Sequence, residues 1–381
     1  MKYCVKCLQP NTRPNTSFKH GICPACIYFD ELKEVDWQER YDILEEIASE
    51  YRGKTKEGSF DCIIGVSGGK DSTRQALWIR DKLKLKPLLV CLSYPPEQVT
   101  ELGASNLSNL IDLGFDVVVS YPSPEHWKQL VKLGFFKFSN WAKPTELALF
   151  ASVPQIAISY KIPLILWGEN PQLEYGGPDS SLNNSILDQK WMEEFGGLMG
   201  FRVSDLIENH GFKKNELEIY DYPDENILKK KSILGIFLGY YERWDALRNY
   251  EVSKNNGFLA YEPELEGCYF NFEKIDNHQH GIHDYFKFLK FGFARATDQL
   301  CYLIRRNKIT RENAIELVKK LEGKYPKSYM GKSLGKILSK ISMTEEEFIK
   351  ICDNFTNKKI FKTDQSGKLL RDEKGDLIKK V

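Results

Sequence analysis

Ser67-Gly68-Gly69-Lys70-Asp71-Ser72 follows the apolar run Cys62-Ile63-Ile64-Gly65-Val66 and precedes an amphipathic run that starts at Thr73. A short strand, a turn of glycine and small hydroxyl residues, and a helix aim several backbone N–H groups and a helix N-terminus at one spot. Such a spot holds phosphate. The spacing is not that of a Walker A loop, because Lys70 would need glycine at Ile64 and Asp71 stands where a hydroxyl should follow the lysine. It is not the dinucleotide fingerprint either, since Ser67 stands where that pattern needs its second glycine. Ser67, Gly68, Gly69 and Ser72 can cradle phosphate through N–H and hydroxyl donors. Asp71 can hold Mg2+ beside the loop or cap the helix that follows, as aspartate favours the N-cap. Lys70 adds a cationic contact or stays solvated.

Three other groups of residues could do chemistry. Cys4, Cys7, Cys23 and Cys26 form two C-x-x-C pairs separated by fifteen residues rich in Pro, Asn, Thr and Gly. Two such turns brought together make a closed tetrahedral four-thiolate site suited to structural Zn2+, with His20 as a spare ligand. A redox dithiol pair or an iron–sulfur cluster is the competing reading. So few apolar residues surround the pairs that metal binding must supply the folding free energy of the segment. Gly168-Glu169-Asn170-Pro171 follows the apolar run Ile162–Trp167 and leads to Glu174-Tyr175-Gly176-Gly177, which reads as an active-site loop or as an ordinary pair of turns. Glu169 there could bind metal or act as a base. Finally, His278, His280 and His283 crowd one stretch of a chain with six histidines, and Lys290 and Arg295 follow among aromatics. A three-histidine metal site, an anion-binding site built from Lys290, Arg295 and a histidine such as His283, and a buried helix with an Arg295–Asp298 ion pair are the readings. Gly292, between the two cations, is expected to bend a single helix and let them converge.

These residues need a scaffold, and 381 residues with 42% hydrophobic content can build two domains and an appendage. Apolar runs at Cys62–Val66, Pro87–Leu92, Asp116–Val119 and Pro163–Trp167 alternate with helical patterns at Ser72–Lys84, Thr100–Leu113, 126–136 and 145–161. Pro154 should kink or split the last of these helices. The alternation predicts an α/β fold with a doubly wound parallel sheet. Ligands bind beyond the carboxyl ends of such strands, which here are Ser67–Ser72, Cys91–Tyr94, Ser120–Pro122 and Gly168–Tyr175. The pattern loosens over 178–265, becomes helical again over 282–355, and ends in a charged tail with two glycine turns. The expected organisation is a zinc knuckle and linker helix over 1–45, a nucleotide domain over 46–240, and a helical substrate-binding region with the tail over 241–381. Lys and Arg total 54 against 53 Asp and Glu, which argues against standing affinity for nucleic acid. No apolar run is long enough for membrane insertion and no signal-peptide pattern opens the chain, so a cytoplasmic location is expected.

The hexapeptide Ser67–Ser72 resembles the SGG-x-DS pyrophosphate loop (PP-loop) of enzymes that cleave ATP between its α and β phosphates, an adenine nucleotide α-hydrolase-like fold. Together with the four-cysteine knuckle, Trp167–Pro171, Leu173–Gly177, the block His283–Gln299 and the run Ile309–Val318, it resembles the N-acetyl sugar amidotransferases of bacterial surface-polysaccharide (LPS O-antigen or capsule) pathways. The resemblance implies ATP and Mg2+ at the loop, with Lys70 and Asp71 catalytic and the backbone at Leu92 and Gly168 near the nucleotide. It further implies Glu169 as base, and Asn170, Glu174, Tyr175, His283, Lys290 and Arg295 around the sugar. The implied reaction adenylates the acetamido oxygen of a nucleotide-linked or nonulosonic sugar and displaces AMP with ammonia, giving an acetamidino sugar. No single cysteine lies in a glutaminase pattern, so the chain is expected to lack its own glutaminase; the resemblance implies a separate glutaminase and cyclase-like partner pair as the ammonia source, with free ammonium as the fallback. The alternatives are a PP-loop tRNA thiolase or lysidine-type modifier and a non-catalytic zinc scaffold. The charge balance weighs against the first, and the intact Ser67–Ser72 loop against the second.

Overall fold

The computed structural model describes residues 1–54, 60–95, 98–168 and 200–380. Five parallel strands, β1 (Cys62–Gly65), β2 (Pro87–Leu92), β3 (Asp116–Ser120), β4 (Leu164–Trp167) and β5 (Leu234–Phe237), form one sheet in the order β3-β2-β1-β4-β5. This is the doubly wound parallel α/β sheet that the alternation predicts. Every residue of β2 is buried, as a central strand covered on both faces must be. One face carries Ile63, Leu88, Val90 and Ile165. The other carries Cys62, Ile64, Leu89, Leu164 and Leu166 in a separate cluster.

Helices α1 (Pro24–Glu31) and α2 (Trp37–Tyr51) precede the sheet, and α2 places Leu44 and Ala48 in the second of these clusters. Helix α3 (Lys70–Asp81) follows β1, α4 (Glu101–Asp112) follows β2, and α5 (Pro124–Phe138) and α6 (Glu146–Tyr160) follow β3. The α6 helix runs unbroken through Pro154, so the expected split does not occur. Its buried face, including Val153 and Ala157 on the sheet, holds it in place despite the lost N–H. Strand β5 was hidden in the stretch that loosens by composition, because four residues interrupted by Gly235 carry too little pattern to register as a strand.

After the described part resumes at residue 200 come α7 (Val203–His210), α8 (Glu225–Lys230), α9 (Leu238–Tyr241) and α10 (Ala246–Lys254), the last packing on α3. The C-terminal helices are α11 (His280–Phe291), α12 (Arg295–Arg305), α13 (Arg311–Leu321), α14 (Leu334–Ser339) and α15 (Glu345–Phe355), with the short hairpin β6 (Ser328–Tyr329) and β7 (Lys332–Ser333) between α13 and α14. Gly292 ends α11 in the left-handed conformation, φ +76°, so Lys290 and Arg295 lie on two helices and not on one bent helix. The four cysteines of the N-terminal pairs belong to the same buried cluster as Leu300, Cys301 and Leu303 of α12. The knuckle is therefore docked on the C-terminal helices. Among the described residues no helix is long and apolar enough to cross a membrane.

Candidate active site

The strand order reverses between β1 and β4, and the loop Ser67–Gly69 lies just past β1 at this switch point. Gly68 has φ +76°, and a Cβ there would sit 2.7 Å from the Leu107 nitrogen of α4, so both conformation and close approach require glycine. Gly69 is the N-cap of α3, which begins at Lys70. Asp71 is thus inside the first turn, and the capping role open to it in the sequence is not the one it has. The loop satisfies its own donors through serine hydroxyls. The Ser67 N–H donates to Ser72 Oγ at 3.4 Å and the Gly69 N–H to Ser67 Oγ at 3.3 Å. Ser72 Oγ donates in turn to the Gly69 carbonyl at 3.1 Å. These hydroxyl oxygens occupy N–H groups that a phosphate oxygen could take.

Lys70 is 4% exposed, which overturns its reading as a solvated side chain. Its Nζ lies 2.7 Å from Asp71 Oδ2 and 3.0 Å from Glu273 Oε1, with the Trp244 and Phe272 rings within 6 Å. The other Asp71 oxygen accepts from Asn249 Nδ2 at 2.8 Å and Trp244 Nε1 at 3.1 Å. Glu273 also accepts from Gln299 Nε2 at 2.8 Å. Burial pushes the Glu273 carboxyl up, but Lys70 and then Arg295 outweigh it and hold the group below the ordinary carboxylate value. Beside this set, Asp71, Arg74, Gln75, Gly168 and Glu242 line a crevice of about 20 Å3. Arg74 pairs with Glu242 at 2.6 Å, and Gln75 Nε2 donates to the Leu166 carbonyl at 3.0 Å. A Cβ on Gly168 would lie 3.0 Å from Gln75 Oε1, so a larger residue there would press on the Gln75 amide at the crevice wall. At the end of β2, Leu92 is buried and the next N–H, of Ser93, donates to the Ser120 carbonyl at 2.9 Å. Trp244, Asn249, Glu273 and Gln299 carry no spacing pattern that would mark them in sequence.

The C-terminal candidates separate. Lys290 Nζ donates to the carbonyls of Phe138 and Ser139 at 3.2 and 3.3 Å, capping the end of α5. Burial and then Lys143 pull its ammonium down to about 8. Arg295 instead pairs with Asp284 at 3.5 Å. The expected Arg295–Asp298 ion pair gives way to one in which Asp298 takes Arg13 and Lys287. His278 lies against the Tyr329 carbonyl at 3.3 Å and His280 against Asp276 at 3.1 Å. Burial drives His283 down to about 3, so it is neutral. Among the described residues these histidines do not form a metal-ligand group. Glu169, Asn170, Glu174 and Tyr175 lie outside the described residues.

The cysteines do converge. Cys4, Cys7, Cys23 and Cys26 are buried with their sulfurs within 4.8 Å of one another. The Cys23 N–H donates to Cys4 Sγ at 3.3 Å and the Gln9 N–H to Cys7 Sγ at 3.4 Å, which stabilises thiolate charge. Four sulfur donors around one point fit a tetrahedral metal centre, zinc or iron–sulfur. His20 is exposed and outside this group.

Residues 266–373 match the family described as LPS biosynthesis protein WbpG-like, C-terminal domain. No curated protein sequence matches the chain. Among solved structures, an NMN synthetase from Francisella tularensis is similar at 13% identity and a TM-score of 0.25, over 60% of this chain and 99% of that one. A U34-tRNA thiolase, NcsA from Methanococcus maripaludis with its 4Fe–4S cluster, is similar at 12% identity and a TM-score of 0.26, over 89% of this chain and 95% of that one.

Proposed function

We propose that the protein is an ATP-dependent amidotransferase of surface-polysaccharide biosynthesis that converts the acetamido group of an N-acetyl sugar into an acetamidino group. One observation carries this reading: the segment similar to the LPS biosynthesis domain puts Glu273 directly on Lys70 of the glycine loop, at 3.0 Å. A domain of polysaccharide chemistry and a phosphate-binding loop then share one charged centre.

In this reading the N–H groups of Ser67 and Gly69 exchange their serine partners for phosphate oxygens of ATP. Lys70 moves its contact from Asp71 to the phosphates, which frees the Asp71 carboxylate to hold Mg2+. Mg2+, when bound, neutralises triphosphate charge. Trp244 and Asn249 keep Asp71 aimed at the crevice throughout. The acetamido oxygen attacks the α-phosphorus and pyrophosphate leaves, because an amide is too poor an electrophile to exchange its oxygen unactivated. Arg295, whose charge reaches Glu273, supplies a cation for a sugar that bears carboxylate or phosphate. Ammonia comes from a separate glutaminase and cyclase-like pair, and the four cysteines hold zinc in a structural role.

Incubation with ATP, ammonium and a panel of nucleotide-linked N-acetyl sugars, followed by mass spectrometry, tests the proposal. The expected result is one sugar converted from acetamido to acetamidino, with stoichiometric AMP and pyrophosphate. AMP release that ignores every sugar, or no amidine from any of them, overturns it.

A further inference from the structure

Arg74 takes no part in the adenylation described above, yet it lines the crevice beside the glycine loop. It stands one turn beyond Lys70 on α3, and helical side chains lean toward the N-terminus, so a guanidinium at this position reaches back toward the loop. With it in the crevice are Asp71 of the loop, Gly168 just past β4, and Glu242. The crevice therefore lies at the carboxyl ends of β1 and β4, where the strand order reverses and a sheet of this kind takes its ligand.

The partner of Arg74 is shared. Arg74 Nη2 donates to Glu242 Oε1 at 2.6 Å, and Arg248 Nη2 donates to the same oxygen at 2.7 Å. Withdrawing Arg74 thus leaves Glu242 paired with Arg248, and no carboxylate is stranded. Arg74 itself, with its side chain 9% exposed, needs an anion wherever it moves. Helix α10 and the residues before it hold both carboxylates of the crevice: Trp244 and Asn249 bind Asp71, and Arg248 binds Glu242. Asp71 and Glu242 would repel a phosphate here, but Arg248 offsets the second and Mg2+ on Asp71 would offset the first.

We infer that Arg74 binds the pyrophosphate group of ATP and takes up its charge as it leaves, exchanging Glu242 for phosphate oxygens. The assignment rests on the adenylation proposed above. There the acetamido oxygen forms a bond to the α-phosphorus, the bond from that phosphorus to the bridging oxygen breaks, and its electron pair departs on pyrophosphate. No proton moves in this step. The leaving group gains negative charge, and the planar fork of a guanidinium meets two phosphate oxygens at once. The crevice, at about 20 Å3, has room for a water and not for a diphosphate. The pyrophosphate therefore sits on the loop, and the guanidinium comes out to it.

The probe is inorganic pyrophosphate with Mg2+, titrated calorimetrically into the whole chain, alongside steady-state kinetics for ATP and sugar. Arg74→Gln leaves Glu242 to Arg248, so the protein is expected to fold and to bind pyrophosphate about ten- to a hundredfold more weakly. Arg74→Lys keeps the charge without the fork and is expected to lose part of that affinity. Arg248→Gln separates this role from a structural one. Arg248 does not line the crevice, but without it Glu242 depends on Arg74 alone, so pyrophosphate binding should weaken there too. Unchanged pyrophosphate affinity in Arg74→Gln, or in Arg74→Lys should the first not fold, overturns the assignment. Unchanged affinity in Arg248→Gln overturns the exchange at Glu242. A raised KM for the sugar with KM for ATP unmoved would place Arg74 on the sugar's own diphosphate and overturns the assignment as well. Failure of the wild-type protein to bind either ATP or pyrophosphate overturns instead the adenylation on which the assignment rests.

Discussion

Lys70 sits between two carboxylates, so its removal leaves Asp71 and Glu273 as like charges facing each other in a largely dry space. Breaking a buried ion pair from one side costs about 3–5 kcal/mol, whereas neutralising both sides costs far less. Lys70→Met is therefore expected to destabilise strongly, and Lys70→Met combined with Glu273→Gln to recover part of the loss. Urea unfolding of the two single variants and the double variant measures the coupling; strictly additive losses would show that the pair is not energetically linked. Asp71→Asn is a different case. An asparagine oxygen can still accept from Trp244 and Asn249, so the fold should survive while sugar-dependent AMP formation is abolished. Near-wild-type AMP release from that variant would remove Asp71 from the reaction. The loop residues were legible because glycine and hydroxyl side chains between an apolar run and a helix have few other uses. Their partners were not. Trp244, Asn249 and Glu273 approach from more than 170 residues away, and nothing local in their sequence records it.

At the scale of elements, local patterns were read well and long-range contacts were not. Two C-x-x-C pairs fix their own geometry, so the cysteine cluster could be read from spacing alone. Its docking depends on contacts of another kind: the Leu8 N–H donates to Cys301 Sγ at 3.3 Å, and Arg311 Nε donates to the Cys7 carbonyl at 3.2 Å. Conversely, the convergence expected of Lys290 and Arg295 assumed one bent helix, and Gly292 ends it instead. The docked knuckle has a measurable consequence. Cys4→Ser should lower bound metal, and because the cysteines share a buried cluster with α12, it should also lower the thermal midpoint of the C-terminal helices. Metal content by elemental analysis and hydrogen exchange over α12 measure the two effects. Loss of metal with unchanged protection of α12 would mean that the knuckle rides on the helices without supporting them.

Across the whole molecule, one buried carboxylate ties three distant parts together. Asp298 of α12 takes Arg13 from the knuckle and Lys287 from α11. An Asp298 pairing within its own helix was one of the readings open in the sequence, since three-residue spacing is visible there and a knuckle arginine 285 residues away is not. Burial pushes the Asp298 carboxyl up, but Arg13, Lys287 and Arg295 outweigh it and bring it to about 2, from an ordinary 3.8. Folding therefore favours the ionised form. The stabilisation is fully present above the unfolded value near 4 and is lost as pH falls through the folded value near 2. That drop corresponds to about 2 kcal/mol, and Glu273, Asp276 and Asp284 are lowered in the same direction. Asp298→Asn is expected to destabilise the protein at pH 7 by about 3–5 kcal/mol, because Arg13 and Lys287 lose their partner. The gap between wild type and variant should then narrow as pH falls from 4 toward 2. Acid would also release any metal held by the cysteine thiolates, but in both proteins alike, so the difference between their urea midpoints isolates Asp298. A gap that stays constant across that range would show that Asp298 is not the charge on which these three parts depend.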